Sequence, residues 1–205
     1  NQLSLAYPDI DMREVLELVG TKWNVGTYRP SFGTGGYCIP LAPRYVLEGA
    51  KNPDVLTLLK NAVEFDSKMP ARVAQHLIKK DAKNVGILGL AYKGDLKVDV
   101  LSPTLTISNE LRKNGIKFKV QDPYYATDEI KRLTDAEPFN FPSGMNEFDA
   151  IIVVADHIQY RSIPQNEILS NLKNCKLILD NVGIWKDIEF EDIEYHVAGD
   201  SCWLG

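Results

Sequence analysis

From Asn84 onward, short apolar runs alternate with helical stretches, and this alternation limits the possible folds more than any other pattern in the chain. The apolar runs are VGILGLA (85–91), FKVQD (118–122), AIIVVAD (150–156) and LILD (177–180). The Ser102–Pro103 pair and Gly115 are typical start and stop signals of the first helix between them. Strand-like runs that alternate with helices are typical of βαβ units and predict a parallel sheet. We therefore expect an α/β fold with a Rossmann-like domain over residues 84–205.

Residues 1–83 are predicted to form a smaller, helical domain. Apolar residues at helical spacing indicate a first helix that ends at Gly20. A loop rich in Gly, Tyr and Pro is predicted over residues 21–43, and further helices are predicted over 44–80 with breaks near Gly49–Pro53 and at Pro70. These helices could pack against the second domain of the chain or form a dimer face, and the apolar pattern favours neither arrangement.

Composition and charge exclude several classes of function. With 205 residues and 44% hydrophobic content, the chain can bury one full core and a smaller helical appendage. The net charge of -5 argues against nucleic acid or an anionic membrane as partner, because both call for basic patches. No stretch approaches the roughly 20 uncharged apolar residues of a membrane span, and the start has no signal-peptide pattern. We therefore expect a cytoplasmic protein, and the missing initiator Met predicts that the chain is a fragment.

The cysteines and histidines do not have the spacing of a metal site. The three cysteines, Cys38, Cys175 and Cys202, include no metal-spaced pair, and the three histidines lie far apart in the sequence. An odd number of cysteines fits a reducing compartment. We expect no metal ion, and we expect Cys175 and Cys202 to be structural.

One loop combines glycines with a cysteine. In YRPSFGTGGYCIPLAP (28–43), Gly33, Gly35 and Gly36 come shortly before Cys38. Glycines let backbone N–H groups approach a ligand closely, and a cysteine that follows such a loop can reach the reacting carbon of a substrate. A buried structural thiol beside a turn is the commoner fate of an isolated cysteine, and composition alone favours that interpretation.

Four motifs together resemble one known family. GTGGYCIP (33–40) resembles the GxGGxCxP signature of the UDP-glucose/GDP-mannose dehydrogenases. VGILGLAYKGDLKVDVLSP (85–103) resembles the segment that opens the nucleotide-sugar-binding domain of that family. IIVVADHIQYRSI (151–163) and LILDNVGIW (177–185) are similar to two later strands and the turns that follow them. The four motifs occur in family order, so the resemblance covers essentially the whole chain.

The resemblance implies that the chain is the C-terminal part of an NAD-dependent UDP-sugar 6-dehydrogenase and is not active alone. It also implies that NAD is bound mainly by an N-terminal domain outside this chain, and that the helical region forms a homodimer. In the family, a cysteine attacks the aldehyde that the first oxidation produces, and the adduct becomes a thioester that water cleaves to the acid. Cys38 matches that nucleophile, and such chemistry needs a thiolate because the thiol is a poor nucleophile.

The binding residues of the family carry over to two segments. The first is a backbone cradle for the sugar and its diphosphate, and here it consists of Arg29, Pro30, Ser31, Phe32, Gly33, Thr34 and Gly35. The second is the aromatic–lysine pair Tyr92 and Lys93, whose lysine would contact phosphate or ribose oxygens unless it is a solvated loop residue. Asp95 and Asp99 look like solvated loop or cap residues. Asp156–His157 looks like a polar turn after a buried strand.

Three positions depart from the family pattern. Ala42 stands where the family has an aspartate that assists thioester hydrolysis, and Val100 and Val182 stand where it has arginines. Losing a positioned charge from a site commonly costs orders of magnitude in rate. The chain is therefore either a divergent dehydrogenase or a nucleotide-sugar-binding relative with weak or no activity. Retention of Cys38 and its glycines favours the dehydrogenase, with a UDP-sugar favoured over a GDP-sugar.

Overall fold

The computed structural model describes residues 1–204 and contains one six-stranded parallel sheet. The strands are β1 (Asn84–Leu88), β2 (Lys117–Gln121), β3 (Glu137–Pro138), β4 (Ala150–Val153), β5 (Leu177–Asp180) and β6 (Glu194–Val197). Their order in the sheet is β3-β2-β1-β4-β5-β6. This is the Rossmann order, in which the direction of winding reverses between β1 and β4. The expected α/β, Rossmann-like fold is confirmed.

Helices precede the sheet and connect its strands. They are α1 (Gln2–Ala6), α2 (Met12–Gly20), α3 (Cys38–Gly49), α4 (Thr57–Ser67), α5 (Met69–Lys79), α6 (Pro103–Lys113), α7 (Thr127–Thr134), α8 (Ile158–Arg161) and α9 (Gln165–Ser170). Short 3₁₀ turns lie at Pro53–Val55 and Ser143–Glu147. Among residues 1–204 there is no helix with the length and apolar character that a bilayer crossing requires.

Both faces of the sheet are covered, which explains the apolar runs in the sequence. Every residue of β4 and β5 is buried. Successive side chains of a strand point to opposite faces, so Ile87 packs in the cluster that contains Ile107 of α6, and Leu88 packs in the cluster that contains Trp185. Strands that are buried on both faces leave unbroken apolar runs rather than alternating ones.

The helices before the sheet divide between two arrangements. α5 packs against the sheet domain of its own chain, with Val73, Ala74 and Leu77 in the same core cluster as Ile107. α4 has no buried residue, and its Leu58 is 84% exposed. Packing against the second domain therefore holds for α5, while α4 packs only Phe65 against that core and leaves Leu58 uncovered in this chain.

The loop predicted over residues 21–43 ends earlier than expected, because α3 begins at Cys38. Pro40 is tolerated in the first turn of α3, where backbone N–H groups have no partner within the helix. Pro43 lies inside the helix, where it removes one intrahelical hydrogen bond. These two prolines account for the wrong prediction. The break predicted at Pro70 is confirmed, since α4 and α5 meet at Lys68 and Pro70 lies in the first turn of α5.

Candidate functional site

Residues 28–36, which we call the glycine loop, cross the carboxyl edge of the sheet. The Phe32 N–H donates a hydrogen bond to Asn181 Oδ1 (2.8 Å), just beyond the end of β5. The Thr34 N–H donates to Asp66 Oδ2 of α4 (3.1 Å), and the Thr34 hydroxyl donates to the same oxygen. The glycine loop therefore lies at the edge where parallel α/β sheets bind their ligands.

The last two glycines of this loop lie against Tyr92. A Cβ atom on Gly35 would lie 2.3 Å from Tyr92 Cβ, and one on Gly36 would lie 2.8 Å from Tyr92 Cζ. Gly36 also has a φ of +85°, which L side chains rarely adopt, and its N–H donates to the carbonyl of Val100 (2.7 Å). Glycine is needed for this close approach. The structure thus brings together the two segments that the sequence predicts to bind the sugar nucleotide.

The earlier residues of the glycine loop differ in exposure. Pro30 and Phe32 are buried, and the Phe32 ring stacks on Trp203 with 6.1 Å between the ring centroids. Ser31 is half-buried, whereas Arg29 is exposed and forms an ion pair with a glutamate of α2 at 3.1 Å. The Pro30 and Phe32 side chains anchor the loop in the core, so only their backbone remains available to a ligand.

Cys38 is the first residue of α3 and is exposed. At the amino end of a helix, unpaired N–H groups and the helix dipole favour a nearby negative charge. Cys175 differs, because it is buried and its thiol donates to the Leu177 carbonyl (3.3 Å). Burial raises the pKa of the Cys175 thiol to about 12. A structural role fits Cys175, while Cys202 is exposed and contributes mainly its backbone, whose N–H donates to the carbonyl of Pro8.

Lys93 follows Tyr92 in the loop after β1 and is exposed. Within the described residues its ammonium group has no carboxylate partner, in contrast to Lys97, which pairs with Glu129 at 2.6 Å. An unpaired lysine beside Tyr92 can supply positive charge to a phosphate without first breaking an ion pair.

A polar cluster that the sequence did not predict lies beneath the first turn after β1. Asp122 Oδ2 accepts the N–H groups of Leu90 (2.8 Å) and Ala91 (2.9 Å), and His157 Nε2 lies 3.0 Å from the same oxygen. The Asp95 N–H donates to His157 Nδ1 (3.0 Å), so His157 Nε2 carries the proton and donates to Asp122. The Asp122 and His157 side chains have no exposed surface. We call these groups the Asp122 centre.

The Asp122 centre removes the usual dinucleotide site from this domain. In a dinucleotide-binding Rossmann domain, the N–H groups of the first turn bind the pyrophosphate, and an acidic residue farther along the chain binds a ribose hydroxyl. Here the Asp122 carboxylate, just after β2, accepts hydrogen bonds from those N–H groups. A phosphate bound by this chain must therefore find its donors elsewhere at the sheet edge.

The loop that carries Lys93 is tied to the turn after β4. Asp95 Oδ1 accepts the first N–H of α8 (2.8 Å), and this bond lowers the pKa of Asp95. Arg161 pairs with Asp95 (2.6 Å) and with Asp156 (3.3 Å). Asp99 accepts the Tyr125 hydroxyl (3.1 Å). Asp95 is thus an exposed loop residue that caps α8, as expected, and Asp99 is a half-buried loop residue that also accepts a hydrogen bond from Tyr125.

The three departures from the family pattern surround the glycine loop. Ala42 is exposed on α3, about one turn after Cys38. Val100 contributes its carbonyl to the glycine loop. The Val182 carbonyl accepts Nη2 of Arg13 (2.9 Å), so a guanidinium from α2 reaches the turn after β5.

An apolar cavity of about 430 Å³ lies between α3, α4 and the start of α6. Thr34 of the glycine loop lines it together with Ile39, Leu59 and Leu105. Cys38 does not line it, so the cavity lies beside the thiol rather than at it. Within residues 1–204, no group of three or more His, Cys, Asp or Glu residues is arranged to hold a metal ion.

Two sequence models of one family match this chain. Residues 2–67 match the central domain of the UDP-glucose/GDP-mannose dehydrogenase family, and residues 86–187 match the UDP-binding domain of the same family. A UDP-N-acetyl-D-mannosamine dehydrogenase from Methanocaldococcus jannaschii is 31% identical over 202 residues, which cover 93% of this chain and 44% of the relative. The chain thus spans about half the length of the curated relatives it matches.

Solved structures share the fold. A UDP-D-ManNAc dehydrogenase from Pyrococcus horikoshii has a TM-score of 0.78 at 24% identity, over 98% of this chain and 47% of that one. A UDP-glucose dehydrogenase from Pyrobaculum islandicum has a TM-score of 0.79 at 19% identity, over 97% of this chain and 46% of that one. The two family matches lie in the order expected from the motifs. The chain therefore belongs to the UDP-glucose/GDP-mannose dehydrogenase family.

Proposed function

We propose that the gene product containing this chain oxidises the C6 hydroxymethyl group of a UDP-sugar to the carboxylate, with NAD as the hydride acceptor. The observation that carries the proposal is the glycine loop, which packs on Tyr92 and leads directly into an exposed Cys38 at the start of α3. A protein that only binds nucleotide sugars has no use for a thiol at that position. Retention of the thiol therefore favours catalysis.

In this proposal, Cys38 is the nucleophile that holds C6 covalently between the aldehyde and the acid. An exposed thiol at a helix amino end suits that role, since it is accessible to a substrate and the nearby backbone N–H groups favour negative charge on the oxygen of the adduct. The backbone of Arg29 to Gly35 would cradle the sugar and its diphosphate. Tyr92 would pack on the ligand, and Lys93 would neutralise part of the diphosphate charge.

The residues of this chain do not fit NAD. Asp122 takes the backbone donors that would bind its pyrophosphate. We therefore assign NAD binding to a part of the gene product outside this chain, and the role of this chain is to bind and position the sugar nucleotide. We also propose the division expected from the sequence, with a partial central domain over 1–83 and the nucleotide-sugar-binding domain over 84–205.

An N-acetylhexosamine is the sugar that we favour. The proteins similar over most of this chain include several named as UDP-N-acetyl-D-mannosamine dehydrogenases. Another is named as a UDP-N-acetyl-D-glucosamine 6-dehydrogenase. These names support a UDP-linked N-acetylhexosamine as substrate ahead of UDP-glucose or a GDP-sugar.

A second candidate function is nucleotide-sugar binding with weak or no dehydrogenase activity. Ala42, Val100 and Val182 favour it, because each lacks a charge that the resemblance leads us to expect. The Arg13 guanidinium at the turn after β5 supports the dehydrogenase instead, since it brings a positive charge close to Val182.

Formation of NADH by the full-length gene product distinguishes the two functions. The assay uses UDP-N-acetylmannosamine, UDP-N-acetylglucosamine, UDP-glucose and GDP-mannose, and it compares Cys38→Ala with Cys202→Ala as a matched exposed cysteine. We expect two NADH per sugar consumed and a loss on the order of 10⁴-fold or more in Cys38→Ala only. Tight UDP-sugar binding without NADH from any substrate would favour the binding function.

We further propose that the full-length protein is a homodimer that forms through its helical region. Apolar side chains of α2 and α4 support this proposal, since Leu18 is 72% exposed and Leu58 is 84% exposed. Light scattering on a Leu18→Glu, Leu58→Glu variant should show a monomer. A variant that stays dimeric would place the interface elsewhere.

A further inference from the structure

The outer face of α5 carries a stripe of polar residues over a small hollow. Arg72, Gln75, His76 and Lys79 are spaced by three or four residues, which puts them on one side of a helix. They line a cavity of about 180 Å³, together with Leu5 and Leu204. That volume accommodates a small ion or a few water molecules, but not a nucleotide.

His76 is the unusual member of this stripe. It is only 4% exposed, and neither ring nitrogen has a hydrogen-bond partner among the described residues. Buried polar atoms are paired in the great majority of cases, so the imidazole is available to bond to a molecule that enters the hollow. Burial is the main cause that lowers the pKa of His76 to about 4, so the ring is neutral near pH 7 and offers one N–H donor.

The charges around the hollow are mostly positive. Among residues 1–204, Arg72 and Lys79 have no carboxylate partner. Lys80 is already neutralised by Glu194 at 2.6 Å, and the same carboxylate contacts His196 at 3.0 Å. The carboxyl end of α5 contributes only about half a negative charge. Two cations without a carboxylate partner outweigh that contribution, although the Arg72 guanidinium also lies over the Phe65 ring at 5.3 Å, so the hollow favours an anion.

We propose that this hollow, which we call the α5 pocket, binds a small oxyanion of the phosphate class. Arg72 and Lys79 supply the charge, Gln75 supplies an amide N–H, and the neutral ring of His76 donates from the base of the pocket. Charged N–H donors assisted by neutral ones are the recognition chemistry that a tetrahedral oxyanion requires. The α5 pocket is separate from the proposed sugar-nucleotide site, because neither the glycine loop nor Cys38, Tyr92 or Lys93 lines it.

Isothermal titration of the full-length protein with inorganic phosphate tests this proposal. Ionic strength is held constant, because screening changes with salt. The Arg72→Gln, Lys79→Gln variant removes both cations, and the Lys51→Gln, Lys186→Gln variant is the matched control with two exposed lysines elsewhere. A His76→Phe variant keeps the ring volume but removes the N–H. We expect phosphate to bind at least about tenfold more weakly to the Arg72, Lys79 variant, somewhat more weakly to His76→Phe, and unchanged to the control.

A second titration, in the presence of saturating UDP-sugar, separates free phosphate from the diphosphate of a nucleotide. Phosphate binding that persists there supports an independent α5 pocket. Phosphate binding that UDP-sugar abolishes would overturn the proposal, because it would place the anion in the sugar-nucleotide site. So would equal affinity in the Arg72, Lys79 variant and its control, or no phosphate binding by the unmodified protein.

Discussion

The glycine loop and the Asp122 centre lie at the same edge of the sheet, but they use their backbone donors in opposite ways. In the Asp122 centre, the N–H groups after β1 are satisfied by a carboxylate with no exposed surface. In the glycine loop, a few hydrogen bonds hold the backbone, and exposed residues such as Cys38 and Arg29 border it. One region is closed around its own side chains, and the other remains open to a ligand.

This difference shows how a Rossmann-like domain can serve a ligand other than a dinucleotide. The Rossmann fold usually binds phosphate at the turn that Asp122 now fills. Filling that turn with an internal carboxylate makes it part of the core. In the proposed function, recognition of a phosphate would then depend on segments that other elements bring to the sheet edge, namely the glycine loop and Lys93.

Among the substitutions that test this comparison, Asp122→Asn should have the largest effect, and that effect is on stability. The two carboxylate oxygens accept from separate donors, Oδ2 from Leu90, Ala91 and His157 and Oδ1 from the Tyr124 N–H (2.9 Å). An amide of the same shape has only one acceptor oxygen, so one of these sets of donors would face an NH₂ group. Hydrogen bonds to a charged group contribute about 1.5–3 kcal/mol each, and a buried donor left without an acceptor costs about 1–3 kcal/mol, so we expect the free energy of unfolding to fall by about 3 kcal/mol or more. Urea denaturation measures the change.

The matched control for this variant is Asp187→Asn, at an exposed position. Surface substitutions of this kind usually change stability by no more than about 0.5 kcal/mol. Equal stability of the two variants would mean that the Asp122 centre is not the closed, stabilising region that its geometry indicates.

The next effect should come from Gly35→Ala, in the open region. The new methyl group would lie 2.3 Å from Tyr92 Cβ and 3.2 Å from the Leu101 carbonyl, so the glycine loop must move away from Tyr92. A displacement of about 1 Å in a site can cost about 100-fold. We expect UDP-sugar affinity, measured by calorimetry on the full-length protein, to fall by about 10- to 100-fold while stability changes little.

Gly49→Ala is the control for that substitution. No atom lies within 4 Å of a Cβ at this position, at the end of α3. Alanine is favoured over glycine in helices, so we expect unchanged affinity. Unchanged affinity in Gly35→Ala as well would show that the contact with Tyr92 does not position the loop for a ligand.

The sequence predicts the central strands of the fold well, because burial on both faces leaves a readable pattern. β5 follows the predicted run 177–180, and β4 lies within the predicted run 150–156. β3 and β6 are edge strands that the sequence did not reveal. β3 has only two residues, and β6 exposes Glu194 and only half-buries the next two residues, so neither forms an apolar run.

The candidate site likewise has parts that the sequence predicted and a part that it did not. The glycines before Cys38 and the Tyr92–Lys93 pair were recognisable as motifs, because each is continuous in sequence. The Asp122 centre was not, because its contacts join residues that are 31 to 62 positions apart. Contacts between residues so far apart leave no periodic pattern in the sequence. The signal available was an acidic residue at the end of a predicted strand, which in a Rossmann fold suggests ribose binding rather than an internal bond.

A smaller effect is expected from Lys93→Gln, which tests whether the open region supplies charge as well as shape. Loss of one charge-assisted contact to a phosphate should weaken UDP-sugar binding about 5- to 10-fold. The difference from the unmodified protein should shrink in high salt, because Lys93 is exposed and its charge is screened. Calorimetry at two salt concentrations measures both effects, with Lys186→Gln as the exposed-lysine control. A loss that does not depend on salt would contradict the electrostatic role.

The smallest effect comes from a second His–Asp pair that differs from the Asp122 centre mainly in burial. His196 Nδ1 lies 3.2 Å from Asp200, and both side chains are partly exposed. Hydrogen bonds to Asp200 and Glu194 raise the pKa of His196 above its usual 6.5. The folded state therefore binds a proton more tightly than the unfolded state, and this contribution is complete below pH 6.5 and is lost as the pH rises through the folded pKa.

Partly exposed pairs are worth no more than about 1 kcal/mol, so we expect a fall of that size at most between about pH 6 and about pH 9. His76 acts in the opposite direction up to about pH 7, because its folded pKa is lowered to about 4 and the unfolded state binds a proton there that the folded state does not. Comparison with His196→Asn removes this contribution, since both proteins carry His76. Urea denaturation across this range should therefore show a difference in stability between the unmodified protein and His196→Asn that shrinks as the pH rises. If His196→Asn lowered the free energy of unfolding as much as Asp122→Asn does, the difference in burial would not explain a difference in stability between the two pairs. The contrast between a closed and an open edge of the sheet would then need another physical basis.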